Sequence, residues 1–251
     1  MDKKKLKIGL ITYRGNPSSG GQGIYINYLS RALSDLGHEV TVISGPPYPE
    51  IRKDIKLVKI PSLDLFSKKN KFLDVKFSKL FSLNNLKEWI SANSGGFPEP
   101  HTFGPRLKKF IEENVGQFDV FHDNQTLCKE LISLQQKYPL VTTIHHPITK
   151  DIEFQLKSTN DFFLKLLIKR WHSFIPTQIK VAKKLKKIVV PSESSGKDVV
   201  KDFSLKDASI EVVHNGIDLG FFYPSDKPYE DYKILSIASS DVCLLYTSPS
   251  P

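Results

Sequence analysis

Cysteine is scarce: Cys128 and Cys243 are the two thiols in 251 residues. Two cysteines so far apart build neither a disulfide framework nor a cysteine-ligated metal cluster, and a reducing compartment is the simple setting. Long apolar runs are missing too. The opening Met1-Asp2-Lys3-Lys4-Lys5 is charged and leads into only a short apolar run, Ile8 to Ile11; a signal peptide needs a longer apolar core and a small-residue cleavage site. No stretch approaches the roughly 18 apolar residues of a membrane span. The nearest, Phe162 to Ile175, is broken by Lys165, Lys169 and Arg170. The expectation is a cytoplasmic protein, at most peripheral on the inner membrane face.

Nucleotide signatures are incomplete. There is no G-x-x-x-x-G-K-[ST] sequence, which argues against a nucleotide triphosphatase. Gly21-Gln22-Gly23 supplies two glycines of G-x-G-x-x-G, but Ile26 stands in the third place. Ser44-Gly45-Pro46 follows the second strand where an acid would grip a ribose. No Ser-His-Asp arrangement and no Cys/His metal spacing can be drawn with the residues of this sequence. The expectation is no metal, no cofactor and no nucleic-acid partner.

What is present is ordinary globular composition, 39% hydrophobic and 25% charged, with a formal charge of +9. The charge is uneven. Lys150 to Lys187 holds ten lysines and arginines against three acids, and Phe66 to Lys109 holds nine against three. Such clusters suit an anionic surface or ligand, or are solvated helix faces.

Apolar residues alternate between strand-like runs and helical spacing. Strands are predicted at Lys7–Thr12, Glu39–Ser44, Phe118–His122, Leu140–His145, Lys187–Pro191 and Ile210–His214. Tyr25, Tyr28, Leu29, Ala32, Leu33 and Leu36 recur at helical spacing, and Gly37 stops that helix. Further helices are expected near 105–115, 125–137, 161–184 and 193–202. Strands alternating with helices predict an α/β fold, a Rossmann-like parallel sheet with helices on both faces. Residues 61–103 break the rhythm and read as an insertion of the kind that shapes substrate sites. In the 161–184 helix, Phe163, Leu167, Trp171 and Phe174 form a stripe expected to face the core, with Lys180, Lys183, Lys184 and Lys187 alongside. The second reading of that pairing is a membrane surface.

Three places carry candidate chemistry. The loop Gly20-Gly21-Gln22-Gly23 lies between a buried strand and a helix start, where backbone N–H groups and the helix dipole favour phosphate; a tight turn without ligand is the other reading. His145-His146 ends the strand LVTTI, at the sheet edge where ligands bind. Adjacent residues on extended chain face opposite ways, so one histidine at most reaches a substrate. Asn124, in His122-Asp123-Asn124, either contacts acceptor hydroxyls or caps a helix beginning near Gln125.

Four segments, in order, resemble one family. SSGGQGIYINYLSRALSDLGHEVTVI (18–43), VTTIHHP (141–147), IVVPSESSGKDVVKDF (188–203) and VHNGIDLGFFYP (213–224) are similar to the family 4 glycosyltransferases of the GT-B fold. The resemblance implies two Rossmann-like domains across a cleft, the first holding a glycan or lipid-linked acceptor and the second a nucleotide-sugar donor. It implies transfer with retention of configuration and no obligatory metal. Carried over by position, Gly20 and Gly21 lie near the diphosphate or an anionic acceptor group, His145 lies beside the transferred sugar, and Asn215 and Gly216 line the interdomain crossing.

On this reading residues 1–223 are the acceptor domain and 224–242 a linker with the first strand, Lys233–Ala238, of a truncated donor domain. Cys243 to Pro251 (CLLYTSPSP) resembles translated sequencing-adapter sequence and reads as a non-native tail. The donor-side basic residues and the paired-glutamate motif of the family would lie beyond residue 242, so this fragment is expected to be inactive alone. The alternatives are a stand-alone module for anionic lipid or glycan, or another GT-B-like enzyme such as a nucleotide-sugar epimerase.

Overall fold

A computed structural model describes residues 4–17, 21–205 and 209–224. Seven strands form one parallel sheet: β1 (Lys7–Thr12), β2 (Glu39–Ser44), β3 (Lys56–Lys59), β4 (Val120–Asn124), β5 (Leu140–Thr143), β6 (Lys187–Val190) and β7 (Ser209–Val212). Their order is β3-β2-β1-β4-β5-β6-β7, and every neighbouring pair is parallel. The chain winds outward in one direction to β3, then returns past β1 to β4. That reversal between β1 and β4 opens a crevice at the carboxyl ends of those strands.

Both faces of the sheet are covered, as the alternation of strands and helices predicts. Ile8, Leu10, Val40 and Val42 bury one face under α1 (Gly21–Asp35), which contributes Ile26, Tyr25, Leu29 and Leu33. Ile11, Ile43, Phe121 and Ile188 bury the other, under α3 (Glu99–Glu113), α4 (Leu131–Lys137), α7 (Ile175–Ala182) and α8 (Glu193–Phe203). Gly9 is required in β1, because a Cβ there would stand 2.6 Å from the Phe121 ring.

Several boundaries differ from the sequence reading, each for a local reason. The 125–137 helix begins only at Leu131. The buried Asp123 carboxylate takes the Thr126 and Leu127 amides, at 3.3 and 3.4 Å, and the Thr126 hydroxyl. These bonds, with positive φ at Gln125 and Leu127, hold a loop instead of a helical turn. The expected 161–184 helix is two, α6 (Phe162–Trp171) and α7. Pro176 has no N–H for the His172 carbonyl, so the helix stops and restarts with proline in its first turn. In consequence the expected core stripe is wrong: Phe174 is buried, but Phe163 and Leu167 are exposed and α6 buries none of its residues.

The sequence reading also omits β3, a short edge strand that is only half-buried, and α5 (Thr149–Lys157). The strand predicted at Phe118–His122 lies two residues later. The insertion at 61–103 folds into a 3-10 turn at Phe77–Phe81, α2 (Leu83–Asn93) and the start of α3. Its anchor is the buried Glu88, which binds Arg106 at 2.5 Å and accepts the Leu63 amide at 3.0 Å. No helix among the described residues is long and apolar enough to cross a membrane. The predicted Lys233–Ala238 strand and the 243–251 tail lie outside the described residues.

Candidate active site

The carboxyl ends of β4 and β5 bring the polar candidates together. His145 follows β5, and its ring Nε2 lies 2.7 Å from Asn124 Oδ1 at the end of β4. The Asn124 amide Nδ2 donates to the Gln22 carbonyl at 3.4 Å, which turns Oδ1 toward the histidine. His145 Nε2 is therefore the donor of that pair, and Nδ1 is the ring's acceptor. Tyr25 of α1 meets the imidazole edge-on, with centroids 4.6 Å apart. The Gln125 side chain fixes the turn itself: its Oε1 accepts from the His145 amide at 2.7 Å and its Nε2 donates to the His146 carbonyl at 2.9 Å.

Burial keeps His145 neutral, with its pKa pushed down to about 4, and the neighbouring His146 charge adds to this. Beneath it, His122 Nε2 is 2.7 Å from Thr143 Oγ1, which also lies 3.3 Å from the Tyr25 hydroxyl. His122 is likewise depressed to about 4, mainly by burial. His146 turns the other way, is exposed, and pairs with Asp151 at 3.1 Å, which raises its pKa. The two histidines thus face opposite sides, as an extended chain requires.

Asn124 is not a helix cap, contrary to one of its two sequence readings, since no helix starts at Gln125. The glycine loop is described from Gly21 onward, and Gly20 lies outside the described residues. Gly23 has a definite steric role: a Cβ there would stand 2.3 Å from the Asn16 carbonyl oxygen and 2.6 Å from that of Gly15. Its absence lets the first turn of α1 sit against the loop that follows β1. Among the described residues Gly21 has no such neighbour within 4 Å. Asn215 and Gly216 follow β7, two strands beyond β5, and are exposed; they do not join the His145 cluster.

A second group lies at the end of β1 and was not legible in the sequence. Glu99 is buried, with Arg14 at 3.5 Å, and one of its oxygens has no hydrogen-bond partner. Burial raises its pKa to about 8 against the opposing pull of Arg14. The Arg14 guanidinium lies 5.7 Å from the centroid of the Phe97 ring. Tyr25 and Thr143 had a signal only as members of a helical stripe and a strand. Among the described residues no cluster of three or more His, Cys, Asp or Glu is arranged to hold a metal ion.

Comparison with known proteins agrees with the resemblance. The chain is 37% identical over 241 residues to an MMP alpha-(1->4)-mannosyltransferase of Mycolicibacterium hassiacum; the match takes in 95% of this chain and 58% of that protein. Solved structures with a related outline include a glycosyltransferase from Rickettsia africae ESF-5, at 14% identity and a TM-score of 0.45, covering 90% of this chain and 47% of that one. Another is Arabidopsis thaliana UGT89C1 complexed with quercetin, at 12% identity and 0.47, covering 90% and 53%. The model of Glycosyltransferase Family 4 matches residues 19–221, the span that runs from the glycine loop through the His145 cluster to the segment after β7, and the chain belongs to that family.

Proposed function

We propose that this chain is the acceptor-side domain, residues 1–223, of a retaining, nucleotide-sugar-dependent hexosyltransferase that acts on a glycan or lipid-linked acceptor. The observation that carries the reading is His145: a neutral imidazole held at a parallel-sheet edge by Asn124, Gln125 and Tyr25. Glycosyl transfer builds positive, oxocarbenium-like charge on the sugar and negative charge on the leaving diphosphate. A neutral ring does not oppose the first charge, and its Nδ1 lone pair can accept from a sugar hydroxyl. The N-terminus of α1, with Gly21 and Gly23, offers N–H groups and a helix dipole to the second.

Fixing His145 before substrate arrives spares the reaction the entropy of arranging it. His146, Asn215 and Gly216 belong to the substrate side of the reading by position alone. The relative's mannosyl transfer puts a mannosyl donor first among candidates. A cytosolic setting fits Cys128, which is buried as a free thiol. The chain spans 58% of that relative, so the donor-binding half of the reaction is assigned to a second domain.

The test is a transfer assay with UDP-, GDP- and ADP-sugars on the full-length polypeptide and on the 251-residue chain. Turnover by the full-length protein with one donor, and none by the shorter chain, is expected. Absence of turnover with every donor, from folded full-length protein, overturns the reading.

A further inference from the structure

The helix α6 and the insertion around α2 form a surface outside the His145 cluster. In α6, Phe162 is 68% and Phe163 76% exposed, and Leu164, Leu166 and Leu167 are exposed beside them. In the insertion, Phe77 is 76% and Phe81 79% exposed, with Phe72, Leu73 and Leu83 also outward. Large apolar side chains scattered singly on a surface are ordinary; a concentration of ten on two adjoining segments is not.

The two segments are joined. Arg170 of α6 donates to Ser91 and Ser94 of the α2 end at 3.2 and 2.8 Å. Trp171 lies 5.3 Å from Phe66 between ring centroids, and Lys71 Nζ sits 4.3 Å from the Phe66 centroid. Phe72, next in sequence, packs on Trp89 of α2 at 4.9 Å. Aromatic and hydrogen-bond contacts therefore link α6, through Arg170, Trp171 and Phe66, to the segment that holds Lys71 and Phe72.

The charge of this surface is predominantly positive. Lys68, Lys69, Lys71, Lys76, Lys79 and Lys87 stand among the insertion's apolar residues, and Lys165 and Lys169 among those of α6. Among the described residues no salt bridge engages any of these eight. The acids of the region are fewer: Glu88 is buried against Arg106, Glu99 is buried beside Arg14, Asp161 caps α6 at Leu164, Asp74 accepts the Asn70 amide and Asp64 accepts the Ser67 hydroxyl.

We propose that this surface docks on an anionic lipid bilayer, its phenylalanines and leucines entering the interface and its lysines meeting the headgroups. The charge pattern selects that occupant. Apolar side chains alternating with unpaired lysines complement a surface that is apolar below and anionic above. A neutral glycan would leave the lysines unanswered. The exposed apolar residues stand beside the lysines of the insertion and α6, whereas the sequence reading set its membrane surface at Lys180, Lys183, Lys184 and Lys187. Those residues belong to α7, the turn after it and the start of β6, and Lys187 is paired with Glu211 at 2.7 Å.

The experiment is sedimentation of the full-length polypeptide with vesicles, either neutral phosphatidylcholine or phosphatidylcholine mixed with phosphatidylglycerol, at low and high salt. Binding to the anionic vesicles alone, weakened by salt, is expected. Changing Lys68, Lys69, Lys71 and Lys76 to Gln should lower partitioning about fivefold for each lysine removed. Changing Phe162 and Phe163 to Ser should lower it about tenfold or more with the melting temperature unchanged. Lys183→Gln with Lys184→Gln should leave it intact. Three results overturn the proposal: no binding to anionic vesicles, binding that survives both the lysine and the phenylalanine changes, or light scattering that shows a dimer dissociated by the phenylalanine changes, which would make a second copy the occupant. Transfer to a soluble acceptor is measured separately, so loss of docking and loss of catalysis remain distinguishable.

Discussion

The edge of β4 and β5 and the surface of α6 solve opposite problems. At the sheet edge, buried polar groups are held in fixed pairs: His122 with Thr143, His145 with Asn124, Asp123 with Thr126. On α6, apolar groups are exposed and find no cover within the described residues. Burial of a polar group costs free energy unless it is hydrogen-bonded, so a cluster like the first persists only when its geometry is over-determined. Exposure of several phenylalanines costs little in the fold itself, but leaves a surface that gains by meeting an apolar phase. The first arrangement suits orientation of a reacting group and the second suits attachment.

The sharpest way to break this contrast is at the two histidines. On the proposed assignment of His145 beside the transferred sugar, His145→Ala in the full-length protein should lower kcat by roughly 10²-fold or more with a smaller change in KM, as expected for a contact made mainly in the transition state. His146→Ala should have a much smaller effect, since its ring faces Asp151. Steady-state kinetics of both variants decides the matter; damage by His146→Ala with a silent His145→Ala would reverse the assignment.

Stability separates the regions next. Gly23→Ala drives a methyl into the Asn16 and Gly15 carbonyls, backbone atoms that cannot swing aside. A cost of about 2 kcal/mol is expected, a drop of several degrees in melting temperature. Phe163→Ser, on exposed α6, should stay within about 0.5 kcal/mol of the parent. Thermal melts of the two variants side by side provide the check.

The smallest effect is a pH limb. Glu99, raised to about 8, binds its proton more tightly folded than unfolded. Its contribution is therefore full at acid pH and is lost as pH rises from about 4.5 toward 8. Asp123, raised to about 7, acts in the same direction. His122 and His145, lowered to about 4, act oppositely: they cost stability as pH falls from 6.5 toward 4. The terms oppose each other below pH 6.5; above it the carboxylates act together with His146, whose pKa Asp151 raises and whose contribution is likewise lost as pH rises. The melting temperature should fall between pH 6.5 and 8.5, and Glu99→Gln should flatten most of that decline. An unchanged decline in the variant would show that Glu99 is not its source.

The pairs within each region were read from the sequence to different depths. β1 and β2 matched their predicted residues because their apolar runs are short, buried and bounded by turn signals. The position of His145 at a strand end was legible for the same reason. The α6 surface was not, because Phe163, Leu167 and Trp171 at helical spacing look alike whether they face a sheet or water. The Arg14–Glu99 pair joins residues 85 positions apart in sequence, and nothing in either local segment points to the other.

The sequence by itself determined the alternation of strands and helices, the net positive charge of two segments and the motifs of the family, all of which are local patterns of residue type. Only the tertiary structure decided which residues share an environment. It set Asn124 against His145 across β4 and β5, buried Glu99 beside Arg14, and turned α6 outward once Pro176 had broken the helix. Local periodicity records which face of an element is apolar; whether that face meets a neighbour depends on the path of the chain between elements, which the spacing of residues along it does not encode.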